Sequence, residues 1–302
     1  MKNKGVGKKK SKRNINLLTP YVMVAPAMCF LLIFTLYPMI NLIYLSFFSF
    51  KLARPDLKAW VGLLNYNFLL FVKEDFVIAL KNTAVYTVTV VFFLILFAVL
   101  FAIWLEKDTK LNSFAQRAIF TPHLVAMISC GMIWSWIMDE KGLFNAVLSF
   151  FQLPGLRWLN SSATAMISIV IVSVWKSLGY YTLIVISALK SIPTEIFEAA
   201  ELDNTNGFRK FFKITIPMLS PQLFFLLIVI TINSFKVFDT VRTMTGGGPG
   251  NSTNVISYYI YHYVFNNNQM GIATSAGVVL MGILMIMTIF YFKAVGKKVY
   301  YQ

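Results

Sequence analysis

Six apolar runs divide the chain, at 21–50, 83–105, 118–138, 163–189, 218–235 and 272–292. An α-helix needs about 20 apolar residues to cross a hydrocarbon core. Five of the six runs reach that length, and the run at 218–235 falls just short. Composition agrees: 58% of the 302 residues are hydrophobic and 13% are charged. Soluble domains average roughly 45–50% and about 25%. No water-soluble fold could cover that much apolar surface, so lipid is the solvent. Backbone groups in lipid must pair within the protein, which leaves helices or closed barrels. The runs lack the strict alternation of barrel strands. The chain therefore reads as an all-α membrane protein with about six transmembrane helices.

The first run follows a basic stretch, as in a signal peptide. It extends over 30 residues, 21–50, whereas the apolar part of a signal spans roughly 7–15. It reads as an uncleaved span, which Pro20, Pro26 and Pro38 are expected to bend or interrupt. The formal net charge is +15, and seven of the 27 Lys and Arg residues lie in the first 13 positions. With the N-terminus inside, 17 basic residues fall on the inner side and 8 on the outer, five of them crowded into the outer loop at 51–81. That bias puts both termini in the cytoplasm. Basic flanks of spans explain the charge, so nucleic acid is not an expected partner. Trp60, Trp104, Trp134, Trp136 and Trp158 lie near the span ends, as in an aromatic belt. Cys29 and Cys130 sit inside apolar runs without metal-ligand or disulfide spacing and read as small buried hydrophobes. The organisation is a basic cytoplasmic tail at 1–17, a transmembrane domain at 18–295 and a cytoplasmic C-terminal tail at 296–302.

The most informative segment is the inner loop at 191–217. Pro193 and Thr194 can open a helix, and Glu195, Glu198 and Glu201 suit its N-terminal half. Ile196, Ala199, Ala200 and Leu202 would form an apolar, small-residue face. Asp203, Asn204, Asn206 and Gly207 then break the helix. A second, basic-aromatic helical stretch is expected from Phe208 to Ile216, with Pro217 preceding the next span. On composition alone, this pair is either a docking element or a generic amphipathic segment lying in the interface.

The order of residues resembles the EAA loop of ABC-importer permeases, in which Glu-Ala-Ala is followed by Gly six positions after the Glu and then by Ile-x-Leu-Pro. Glu198, Ala199, Ala200, Asp203, Ile214 and Pro217 fall in register, and Gly207 lies in the same turn region. Asn204 replaces the usual Gly, Thr205 the usual Ala and Ile216 the usual Leu. Asn is the next-best residue at positive φ. Further matching stretches run through the chain. They are Trp60 to Tyr66, Asn82-Thr83, Trp175 near Gly179, Thr245 to Pro249 with Thr253, Tyr261 to Phe265 with Gly271, and Lys298 to Gln302. Together they resemble the carbohydrate-uptake branch, with its maltose-type and glycerol-3-phosphate-type first permeases. The resemblance implies a type I importer permease in a prokaryotic cytoplasmic membrane, importing a sugar or a polyol phosphate. It implies a second permease subunit, a pair of ATPase subunits that use ATP and Mg, and an extracellular or periplasmic solute-binding protein. The loop at 191–217 would be the coupling element that docks on the ATPase. No cofactor would be bound by this chain itself.

Lys176 interrupts the fourth run, with Tyr180 and Tyr181 one turn along. It is either a pathway residue near the substrate or a structural lysine paired across helices. Asn233, Lys236 and Asp239 recur at three-residue spacing and would share one helical face. They read either as substrate contacts or as a local ion pair at the membrane edge. Trp134, Trp136, Tyr180 and Tyr181 could stack on sugar rings or simply pack. Gly246 to Gly250 lacks the order of a phosphate loop; by the resemblance it faces the binding protein. His123 and His262 are isolated and no catalytic motif appears, so an enzyme is not expected. An ion-gradient-driven transporter would need acids within its spans, and they hold almost none apart from Asp239 near an edge.

Overall fold

A computed structural model describes residues 19–296. The basic tail at 1–17 and the closing residues 297–302, with Lys297, Lys298 and the ending Lys298 to Gln302, lie outside the described residues. Five helices are long and apolar enough to cross a membrane. They are α1 (Pro20–Leu45), α2 (Glu74–Leu105), α6 (Ala165–Lys190), α8 (Gly207–Phe235) and α11 (Met270–Ala294). Between them lie a hairpin, β1 (Phe48–Lys51) and β2 (Arg54–Trp60), a short helical stretch Leu64–Asn67 that continues into Phe68–Val72, and six further helices. The latter are α3 (Lys110–Leu124), α4 (Met127–Ile137), α5 (Leu143–Phe150), α7 (Thr194–Leu202), α9 (Asp239–Met244) and α10 (Ile256–Phe265).

The third run is not a straight span over 118–138. It divides into α3 and α4, which meet at 101°. Pro122 near the end of α3 removes a helical donor, and Val125 and Ala126 turn extended, with ψ of 141° and 138°. The fifth run also differs. The stretch after Gly207 is the first part of α8 itself rather than a separate helix, and a wide turn at Phe211–Thr215 carries the chain up to Pro217. The second span begins earlier than expected, at Glu74, where Glu74 and Asp75 suit the positive end of a helix.

A buried seam joins α2, α6 and α8. Tyr86, Val90, Leu94, Ala98, Ile169, Val185, Leu226 and Ile230 fill it. In lipid no hydrophobic effect pulls helices together, so close packing and hydroxyl bonds hold them. Tyr86 donates to Ser173 Oγ at 2.8 Å across the seam. Thr182 and Thr231 satisfy themselves on the carbonyls of Leu178 and Leu227. Gly179 brings α6 onto α3: a Cβ there would overlap the carbonyl of Ile119.

The first part of α1 stands clear of this bundle, with Tyr21, Phe30 and Phe34 exposed, while its last part packs on α11, where Leu42 meets Gly277. α1 remains one helix, loosened at Leu32–Leu36 ahead of Pro38. Cys29 is therefore exposed, against expectation, while Cys130 is buried.

The hairpin at 48–60 was not legible in the sequence. Phe48 pairs with Trp60 and Ser49 with Ala59, with an irregularity before Lys51. Asn65 Nδ2 donates to the carbonyls of Ser46 and Phe48, and Ser275 Oγ donates to Ser46, fastening the hairpin to α11. At the same end of the bundle, Asn82 Nδ2 donates to the carbonyls of Asn251 and Asn254, and Thr83 Oγ1 accepts from Ile256 N at 2.9 Å. Two sequence stretches that lie far apart, Asn82-Thr83 and the glycine loop with Thr253, thus form one clasp. The opposite end carries Glu106, Asp108, Lys190 and α7; Lys190 pairs with Asp108 there. Exposed Trp60 and Trp136 lie towards the hairpin end and exposed Trp104 towards the other.

Gly179→Ala is expected to force α3 off α6 and lower stability by about 1–3 kcal/mol, the usual range for overpacking. Gly282→Ala, whose Cβ would meet nothing within 4 Å inside α11, should leave stability undiminished or raise it by up to about 1 kcal/mol. Thermal unfolding of the two variants in detergent checks this; equal melting temperatures would show that the α3–α6 contact is slack.

Candidate functional site

Two places gather the residues singled out above: the turn at 191–217 and a cavity between α2, α6 and α8. The turn has two sides. Ile192 and Ala200 are buried, and Ile196 and Phe197 are half-buried against the bundle. Glu198, Ala199, Leu202, Asp203 and Asn204 are exposed. The apolar face read from the sequence is therefore divided, with Ile196 and Ala200 holding the helix in place while Ala199 and Leu202 point away. Leu202 is 86% exposed and Phe208 75%, with Phe212 beside them. A cluster of exposed large side chains of this kind is the mark of an interaction surface. Phe208 and Phe212 were not singled out as site residues; their aromatic i, i+4 spacing is the signal that could have found them.

The chain leaves α7 through a defined cap. Asn204 has φ 49°, the left-handed conformation in which Asn is tolerated better than other residues with a side chain. Asn204 N donates to Glu201 O at 3.0 Å and Thr205 N to Ala200 O at 3.0 Å. That pair of bonds is the Schellman pattern, whose left-handed position usually holds Gly. Asn206 Oδ1 then accepts from Arg209 N at 2.8 Å and caps α8. Lys210 closes the loop, bonded to Glu201 at 2.9 Å and lying over the Phe197 ring. Gly207 is exposed at the start of α8. Ile214 and Pro217 are half-buried within α8 and belong to its body rather than to the exposed face.

The cavity encloses about 190 Å³. Tyr181, Asn233, Lys236 and Asp239 line it, together with Tyr86, Ser173, Ser177 and Met127. The second group was missed, although Ser173, Ser177 and Tyr181 fall at i, i+4 and i+8 in an apolar run, a polar stripe readable from the sequence. Asn233, Lys236 and Asp239 do not share a helical face. α8 ends at Phe235, Lys236 caps it, and Asp239 opens α9. Among the described residues Lys236 and Asp239 form no ion pair with each other, so two exposed charges of opposite sign face the same polar space.

Lys176 and Tyr180 are placed elsewhere. Lys176 Nζ donates to the carbonyls of Pro122, His123 and Val125 at 3.2, 3.1 and 2.7 Å. Tyr180 stacks on the ring of His123, with centroids 4.5 Å apart and planes 8° from parallel. α6 thus carries two stripes, one lining the cavity and one gripping the elbow between α3 and α4.

The chain was compared with known proteins. A family model described as "Binding-protein-dependent transport system inner membrane component" matches residues 82–299. Among curated proteins, the probable ABC transporter permease protein YurN of Bacillus subtilis is 32% identical over 93% of this chain and 97% of its own length. The sn-glycerol-3-phosphate transport system permease protein UgpA of Rhizobium meliloti is 31% identical over 95% and 97%. The trehalose/maltose transport system permease protein MalF of Thermococcus litoralis is 31% identical over 92% and 93%. Among solved structures, a chain of a bacterial alginate ABC transporter, in complex with an alginate pentasaccharide-bound periplasmic protein, superposes with a TM-score of 0.78. That match covers 90% of this chain and 92% of the other at 22% identity.

The cap at Asn204 makes a prediction. Asn204→Gly should preserve the loop, whereas Asn204→Val should strain it by about 1–2 kcal/mol, the penalty for a side chain in left-handed backbone. Limited proteolysis across 200–207 reads the difference: faster cleavage in the Val variant alone is expected.

Proposed function

The chain belongs to the family of binding-protein-dependent transport system inner membrane components, and from that premise we propose that it is the permease subunit of a sugar importer driven by a separate ATPase. The observation that carries the reading is the exposed face of α7. Glu198, Ala199 and Leu202 project away from the bundle beside Phe208, while Ile196, Phe197 and Ala200 fix the helix to it. A rigidly held knob with small and apolar side chains suits insertion into a partner's cleft.

In this reading Glu198, Ala199, Ala200, Asp203, Asn204 and Gly207 shape the docking turn, and Ile214 and Pro217 set the start of the span behind it. The turn and both termini face the cytoplasm, where 17 of the 27 basic residues are counted. ATP and Mg are bound by the ATPase pair, and this chain supplies no catalytic group. Closure of that pair moves α7, and the spans rock between inward-open and outward-open states around the polar cavity. A second permease subunit completes the pathway, and a solute-binding protein delivers substrate at the hairpin end. Curated relatives named for trehalose/maltose, arabinooligosaccharides and sn-glycerol-3-phosphate set the substrate class as a sugar or a polyol phosphate. Tyr181, Asn233 and Ser177 offer the amide and hydroxyl groups that a polyol needs, and Lys236 offers a cation to an anionic one.

Glu198→Lys or Ala199→Trp should leave the chain inserted but abolish co-purification of the ATPase and reduce ATP-dependent uptake by about tenfold or more, a loss of roughly 1.4 kcal/mol of coupling. Uptake into liposomes with and without internal ATP is the measurement. Uptake that follows an ion gradient without ATP, or wild-type uptake by both variants, would overturn the reading.

A further inference from the structure

The elbow between α3 and α4 exposes a problem that Lys176 resolves. Where a helix ends, its last carbonyls have no helical donor, and inside a bilayer no water is at hand to replace one. α3 stops at Leu124, and Val125 and Ala126 are extended. The carbonyls of Pro122, His123 and Val125 all turn to one group, the ammonium of Lys176. An ammonium has three N–H donors, so this set uses every one. The negative end of the α3 dipole favours a cation in that place. Lys176 is therefore committed to the backbone and is not free to hold an anionic substrate.

The grip extends along the same face of α6. Gly179 lets the backbone of Ile119 lie in contact, and Tyr180 stacks on His123. On the far side of the elbow α4 begins at once with Met127, which lines the cavity. One turn on, Gly131 lies so close to Thr243 of α9 that a Cβ would collide with it. α9 opens with Asp239, which also lines the cavity. In the other direction α6 runs into α7 through Ser191, Ile192 and Pro193 alone. Ser191 N and Ile192 N bond to Ala188 and Leu189, and Ile192 is buried, which leaves little slack.

These contacts form a continuous mechanical line from α7 through α6 to the elbow, then through α4 to the cavity wall. We infer that Lys176 is the latch of that line: a positioning residue that makes the α3–α4 elbow move with α6, so that displacement of α7 reaches Met127 and Asp239. The inference rests on the ATPase-driven reading above, and adds to it the residue that carries motion from the docking turn to the pathway.

The test uses a single cysteine at Met127, in a chain carrying Cys29→Ser and Cys130→Ser, in inside-out membrane vesicles from the producing organism, where the partner subunits are present. The readout is the rate of N-ethylmaleimide labelling with and without ATP plus vanadate. With Lys176 in place, nucleotide should shift the rate by about fivefold or more, the lower range of a functional coupling. Lys176→Met should abolish the shift, while Lys176→Arg, which keeps a cation and its donors, should retain it. A merely structural lysine would lower the amount of chain in the membrane but leave the nucleotide response of the surviving fraction intact, and that result overturns the inference. Should Lys176→Met not accumulate, Lys176→Gln, with two donors and no charge, is expected to show a reduced shift; a full shift overturns the inference equally. If the Lys176 chain itself shows no nucleotide response, the ATPase-driven reading fails first. A response in that chain that survives in Lys176→Met sinks the latch alone.

Discussion

A carbonyl inside a hydrocarbon layer must find a donor within the protein. The architecture depends on how that demand is met where helices break. At the α3–α4 elbow, one lysine side chain answers for three carbonyls, and the helix that supplies it also leads into α7. At the hairpin end, Asn82 and Asn65 perform the same service for carbonyls of non-helical segments, while Thr83 accepts the N–H of Ile256 at the start of α10. The polar side chains of the spans are thus largely occupied with backbone, which explains how a chain with few charges can hold bent and interrupted elements in lipid.

The turn at 191–217 shows a different use of backbone bonding. Its exposed face could not be both projecting and rigid unless the helix that bears it were fixed at both ends. Ile192 and Ala200 supply the apolar anchor, the Schellman bonds at Asn204 end the helix sharply, and Lys210 ties the following span back to Glu201. The ion pair is exposed on the glutamate side and adds little stability by itself. It does, however, bring the start of α8 back beside α7, with Lys210 also over the Phe197 ring. The apolar groups Leu202 and Phe208 are left uncovered on that face.

The polar cavity lies where these constraints leave room. Tyr86 and Ser173 bond to each other across the seam, and beside them Tyr181, Asn233, Lys236 and Asp239 face a common space. Opposite charges that share a cavity without pairing keep its lining polar. Its wall is shared by α4 and α9, the two elements reached through the elbow, so the cavity and the turn at 191–217 are parts of one packed network.

The apolar runs by themselves settled the membrane class and nearly all the spans, because burial in lipid demands about 20 apolar residues whatever the tertiary arrangement. The order of residues at 191–217 likewise marked a short helix that breaks at 203–207, and the preference of Asn for positive φ accounted in advance for its place at 204. Other features required the fold. Lys176 and Ser177 are adjacent in sequence and both polar, yet one grips an elbow and the other lines a cavity, since successive residues on a helix point about 100° apart. Which direction faces which neighbour depends on the packing of α3, α2 and α8 around α6, and no local pattern encodes it. The 101° break in the third run was equally hidden. Apart from Pro122 its sequence reads as a straight span, and the groups that hold the broken form, Lys176 with Gly179 and Tyr180, come from another helix more than 50 residues away.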